Sequence, residues 1–132
     1  MTPVRGTAIV LGVVLLAVGI AGFFVPAVAG LPKDGPIFVT GTIHNLVHII
    51  TGTLALWIAF GLDGREAAVA LVAFGALFVC LILVSLNNGD LYGLLDAPVN
   101  TNDQLLHGTV AAISLVVGGW VLVRGPKVAT AG

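Results

Sequence analysis

Ile43-His44-Asn45-Leu46-Val47-His48-Ile49-Ile50-Thr51-Gly52-Thr53-Leu54-Ala55-Leu56-Trp57-Ile58-Ala59-Phe60-Gly61-Leu62 contains no Asp, Glu, Lys or Arg. A helix rises about 1.5 Å per residue, so a run of this length covers the roughly 30 Å hydrocarbon core of a bilayer. Each formal charge near its centre would cost about 2.5–3.5 kcal/mol. Three further stretches share the property, near residues 7–25, 67–86 and 105–123. The spacing predicts an all-α membrane protein, a four-transmembrane-helix antiparallel bundle with 1–132 as a single integral membrane domain.

Composition points the same way. The 132 residues are 58% hydrophobic and only 8% charged, where an average soluble domain is about 25% charged. A water-soluble fold would have almost nothing to place on its surface, whereas the lipid bilayer suits such a surface as solvent and partner. A net charge of −1 supplies no basic footprint for nucleic acid. Cys80, the single cysteine, has no internal disulfide partner and reads as a small packed hydrophobe.

The first span has a rival reading, since Arg5, an apolar run and Ala27-Val28-Ala29 resemble a signal peptide with its cleavage site. The run is longer than the usual 7–15 residues, which favours a span. Orientation follows from Lys and Arg. Arg5, Arg65, Arg124 and Lys127 share one side of a four-span protein, and Lys33 alone falls on the other. The N- and C-termini are therefore expected in the cytoplasm.

The inner loop, Asp63-Gly64-Arg65-Glu66, is so short that the second and third spans are expected to form an antiparallel hairpin. The two outer connections carry turn residues, Pro26, Gly30, Pro32, Gly35 and Pro36 in one and Asn87, Asn88, Gly89 and Pro98 in the other. A shift of 59 residues lays the first span on the third and the second on the fourth. It also places Gly30 on Gly89, Thr42 on Thr101, Leu46 on Leu105 and His48 on His107. A 2+2 parallel repeat, with its axis along the membrane normal, is read from this layout.

On a helical grid the second span carries His44, His48, Thr51/Gly52, Ala55 and Ala59 in one stripe. The fourth carries Asp103, His107, Ala111, Ser114 and Gly118 at the same spacings. Small residues mark the face where membrane helices approach closely, so both stripes are expected to face inward. Under the repeat, Asp103 corresponds to His44 and His107 to His48, and Asn45 and Gln104 stand beside them. Three histidines and a carboxylate then meet at one depth, on the extracytoplasmic side.

Each of these has an ordinary structural reading. Asp and Asn at helix starts are caps, and Asp there complements the helix dipole. Buried histidines hydrogen-bond between helices, and His44 lies near the interface, where a polar ring is easily placed. The sharper reading treats His44, His48, His107 and Asp103 as metal ligands. Two histidines at i and i+4 chelate well, and the set suits a transition metal such as Zn, Cu or Fe. A bis-His haem would use His48 and His107. No phosphate loop, nucleophile–base set or paired carboxylates within a span appears. Trp57 and Trp120 read as interfacial belt residues, and Tyr92 marks the opposite interface.

Asn45-Leu46-Val47-His48 with Gly52, and Val99-Asn100-Thr101-Asn102-Asp103-Gln104-Leu105-Leu106-His107, resemble the second- and fourth-helix motifs of a bacterial membrane family. That family is catalogued as domain of unknown function 4383. The resemblance covers most of the chain. It implies a four-helix protein of the bacterial inner (cell) membrane and weight on Asn45, His48, Asp103 and His107, and it implies no activity.

Three functional readings follow. The first is a non-enzymatic membrane subunit or scaffold without a cofactor, its stripes packing its own helices, a second copy in a homo-oligomer or a membrane-complex partner. The second is a protein that binds a transition metal or haem through the histidines. The third, a small transporter or channel, has the least support, because no span is broken by proline or charged at its centre.

Overall fold

A computed structural model describes residues 1–24, 41–88 and 99–125. Within them lie four helices and no strand: α1 (Pro3–Phe24), α2 (Thr42–Gly61), α3 (Gly64–Asn88) and α4 (Thr101–Arg124). All four are long and apolar enough to cross a membrane. The helices outrun the charge-free stretches because they continue through their polar ends. Pro3 opens α1, where its missing N–H is no loss, and the Thr2 Oγ1 accepts from the Arg5 N–H. Asn100 caps α4, and Arg124 ends it. α3 runs on through Asn87 and Asn88, where turn residues were expected. The remainder of both outer connections, with Lys33, Asp34, Asp90, Tyr92 and Asp96, and Lys127 at the C-terminus, lie outside the described residues.

The packing is by sequence pairs, α1 with α2 and α3 with α4. A Cβ on Gly12 would stand 2.9 Å from the Gly52 carbonyl oxygen, and one on Gly52 would stand 2.8 Å from the Leu16 nitrogen. Backbone atoms cannot yield as a side-chain tip can, so only glycine permits this approach. The second pair crosses in the same way. A Cβ on Gly75 would meet the Ala111 oxygen at 3.1 Å, and one on Gly118 the Ala68 oxygen at 2.9 Å.

Leu16 opposite Gly52 and Gly75 opposite Ala111 are the same crossing under the shift of 59, with the small residue exchanged between helices. The structure thus has a 2+2 layout. The expected hairpin of α2 with α3 is corrected in one respect. Their tight connection, turned at Gly64 with φ +54°, fixes opposite directions, but α2 and α3 touch only slightly. A short loop sets direction, whereas the glycines set which helices pack.

Val4, Ala8, Leu11, Leu15, Ala55, Ile58, Ala59, Ala67, Ala68, Leu71, Phe74 and Phe78 are buried. They fill the bundle from the α2–α3 turn towards the histidine end. Outward stand Val13, Ile50, Trp57, Phe60 and Val116, an apolar exterior that water would not tolerate and lipid matches. Cys80 is on this exterior, a correction to its reading as a packed core residue. The thiol faces outward rather than into the bundle.

Candidate metal centre

Helices α2 and α4 stand diagonally across the bundle with no close backbone approach. The space between their first turns is closed by side chains. Every residue of the two predicted stripes is buried: His44, His48, Thr51, Gly52, Ala55 and Ala59 on α2, and Asp103, His107, Ala111, Ser114 and Gly118 on α4. Register explains the meeting. Each histidine lies on the inward stripe set by the small residues, and the common register of the two hairpins brings both to one level.

The three imidazoles converge tip to tip. His44 Nε2 lies 3.0 Å from His48 Nε2, and His107 Nε2 lies 3.4 Å from the same atom. One ligand nitrogen from each ring falls within 4.8 Å of both others. The three residues are 5%, 3% and 6% exposed, in chain order. They meet at tilted angles, 52° between His48 and His107, so they aim at a shared point rather than stack.

A neutral imidazole nitrogen carries either one proton or one lone pair. Three such atoms at one point can therefore form at most one good N–H···N bond among themselves. The third is left without a partner, and an unmet buried polar atom costs about 1–3 kcal/mol. A cation accepts all three lone pairs at once.

Asp103 is 1% exposed and stands beside the triad rather than in it. Its Oδ1 is 3.9 Å from His44 Nε2. Its Oδ2 accepts the Asn100 N–H at 2.8 Å, while Asn100 Oδ1 accepts the Asp103 N–H at 3.0 Å. This capping box fixes the carboxylate at the start of α4.

The other two predicted residues turn away from the cluster, each into its own hairpin. Asn45 is buried against Gly22 of α1, and Gln104 donates to Ser85 of α3. Phe78 was missed by sequence reasoning. Its ring meets His107 edge-on, with centroids 5.5 Å apart. Its counterpart under the shift, Gly19, lies against the His48 Cβ, so the repeat held the signal. The Nδ1 atoms of all three histidines are buried without a protein partner among the described residues, so packing orients the rings.

The paired polar motifs at the starts of α2 and α4 match a known family model over residues 5–120. The chain belongs to the family described as domain of unknown function DUF4383. The DUF4383 match takes in nearly all of the four helices and both histidine motifs, and with the apolar exterior it makes this a small multi-pass membrane protein. The family description assigns no activity. Comparison with curated proteins and with solved structures gave no match.

Proposed function

We propose that this protein binds a transition-metal ion within the membrane, on Nε2 of His44, His48 and His107. The observation that carries the reading is the convergence of three buried imidazole nitrogens. Ligands about 2.0–2.1 Å from a tetrahedral ion lie about 3.3 Å from one another; His48 Nε2 stands 3.0 and 3.4 Å from its two neighbours, and one nitrogen from each ring lies within 4.8 Å of the others. An all-imidazole set suits Zn, Cu, Fe or Ni. Asp103 adds a nearby negative charge that offsets part of the ion's charge in a setting where lone charges are costly.

The alternatives gain less. A scaffold needs small-residue stripes, and these are present, but packing alone gives no reason for three ring tips to meet where they cannot satisfy one another. A haem would have to fit its macrocycle between its two axial imidazoles. His48 and His107 approach at 3.4 Å, with His44 against His48. A transport path would have to continue beyond the site, where Leu15, Ala55, Ile58, Leu71 and Phe74 are buried. The proposal is for binding, not for an enzymatic reaction.

Elemental analysis of the protein purified in detergent tests this. One transition-metal ion per chain is expected, lost in the His48→Ala variant. A wild-type sample that stays metal-free after incubation with Zn(II), Cu(II), Ni(II) and Fe(II) would defeat the reading and return the scaffold to first place. We also propose a bacterial inner-membrane location with both termini cytoplasmic, on the Lys/Arg bias. Reporter fusions at Gly64 and at the C-terminus should both read cytoplasmic, and one near Asp96 should read extracytoplasmic.

A further inference from the structure

We infer that the ion's fourth coordination position is open to a small exogenous ligand, a water or a small anion, with Asp103 as the outer group that faces it. The inference rests on the metal reading above. Three histidines, two from α2 and one from α4, supply one face of a tetrahedron. Closed structural sites complete the figure with a fourth protein ligand, while sites that exchange ligands keep three and leave the last position to solvent.

Among the described residues Asp103 is the one carboxylate beside the triad, and its geometry sets it apart from the three converging nitrogens. Its Oδ1 is 3.9 Å from His44 Nε2, beyond the roughly 3.3 Å expected between two ligands of one tetrahedral ion. It is not among the side chains whose ligand atoms converge. Its Oδ2 is occupied by the Asn100 N–H at 2.8 Å, and the Asn100 side chain holds the Asp103 backbone in turn. Binding the ion directly would pull the carboxylate against the cap that starts α4. One water between ion and carboxylate bridges the gap with the cap intact, as outer carboxylates commonly do at metal sites.

The ligand class follows from the charges. An ion on three neutral imidazoles keeps its positive charge and attracts a small anion, and Asp103 opposes that anion by like charge. Asp103 is thus a positioning residue that favours water over anions at the open position.

Cobalt(II) reports this directly, because its visible spectrum changes when a ligand exchanges. The full-length protein in detergent is loaded with Co(II) and titrated with azide. A saturable spectral change at one azide per cobalt is expected. Asp103→Asn, which keeps a side-chain oxygen for the cap, should retain its cobalt and bind azide about tenfold more tightly, because a like charge a few Å away is removed. A cobalt-loaded wild type whose spectrum ignores azide has a closed site and overturns this inference alone. So does loss of cobalt in Asp103→Asn, which would make the carboxylate a ligand. Failure of the wild type to take up cobalt or any other ion defeats the metal reading beneath it.

Discussion

The two hairpins are built to one plan and use equivalent positions differently. His48 and His107 correspond and do the same thing, each pointing Nε2 at the shared centre. His44 and Asp103 also correspond, and they part company. On α2 the helix starts at Gly41, which offers no side-chain cap, and His44 is left to reach the centre. On α4 the helix starts at Asn100 with a full capping box, and that box holds Asp103. A residue engaged in starting its helix is poorly placed to be a ligand as well. The difference leaves three imidazoles at the centre, two from α2 and one from α4, with Asp103 beside them.

Metal affinity gives the largest test of this asymmetry. His48 touches both other rings, so His48→Ala should lower affinity well beyond the roughly 10–100-fold typical of outer groups. His107→Ala should follow closely. His44→Ala should cost more than Asp103→Asn, although the two positions are equivalent under the repeat. Competition against a chromophoric chelator measures each. Equal losses at 44 and 103 would make them equal ligands and erase the difference between the hairpins. In all variants affinity should fall as pH drops, because protons compete for the same imidazole lone pairs.

The shared part of the plan predicts a second, smaller effect. Gly52→Val and Gly118→Val each force a branched side chain against a neighbouring helix backbone. Each should destabilise by about 1–3 kcal/mol or more in detergent unfolding. Similar costs are expected because a Cβ at either site meets a neighbouring backbone atom at 2.8–2.9 Å. Gly108→Ala is the control with the opposite sign. A Cβ there meets nothing within 4 Å, so the change should add about 0.5–1 kcal/mol through helix propensity. A large loss at Gly118 with none at Gly52 would mean that only the second hairpin is held by close backbone approach.

The cap itself comes next. Asn100→Ala removes the acceptor for the Asp103 N–H and should cost about 0.5–2 kcal/mol. It should also loosen the start of α4, and with it the Asn100 N–H that holds the Asp103 carboxylate, so that azide binding to the cobalt-loaded protein changes while cobalt content does not. Gly41→Ser, at the uncapped start of α2, should gain only a few tenths of a kcal/mol. Matching responses would show that both helix starts bear on the centre alike.

The fold was legible because two strong rules act on it. Lipid forbids charge mid-span, which fixed the number of helices, and small residues at spacings of three and four fixed which face of α2 and α4 turns inward. All eleven stripe residues are buried as expected. The partnership of helices was less legible. The short Asp63–Glu66 connection pointed to α2 with α3, whereas Gly12, Gly52, Gly75 and Gly118 pair each helix with its neighbour across a long connection. Glycines within apolar runs look alike until their partners are known. At the site, His44, His48 and His107 were readable from register alone. That Asp103 stands aside was not, because the same Asp at a helix start serves equally as cap and as ligand. Phe78 went unread since an aromatic in an apolar span carries no signal of its own.

The smallest effect is expected where the first hairpin is most visibly tied. Arg5 of α1 reaches across to the end of α2, its Nε donating to the Ala59 carbonyl at 2.7 Å and its Nη2 lying 3.3 Å from Asp63 Oδ1. The second hairpin has no counterpart of Arg5, since the shift of 59 puts Gly64 where Arg5 stands. It would be natural to credit the ion pair with closing the first hairpin. The Asp63 side chain is 93% exposed, however, and exposed pairs are worth about 0–1 kcal/mol. The bond from Nε to a helix-terminal carbonyl, which lacks a partner within its own helix, holds Arg5 in place without the aspartate. Asp63→Asn should therefore leave the unfolding midpoint nearly unchanged, and added salt should not separate it from wild type. A loss well above 1 kcal/mol that vanishes in high salt would show that charge, and not the approach of Gly12 to Gly52, closes the first hairpin, and the two halves would then differ in their packing as well as in their site.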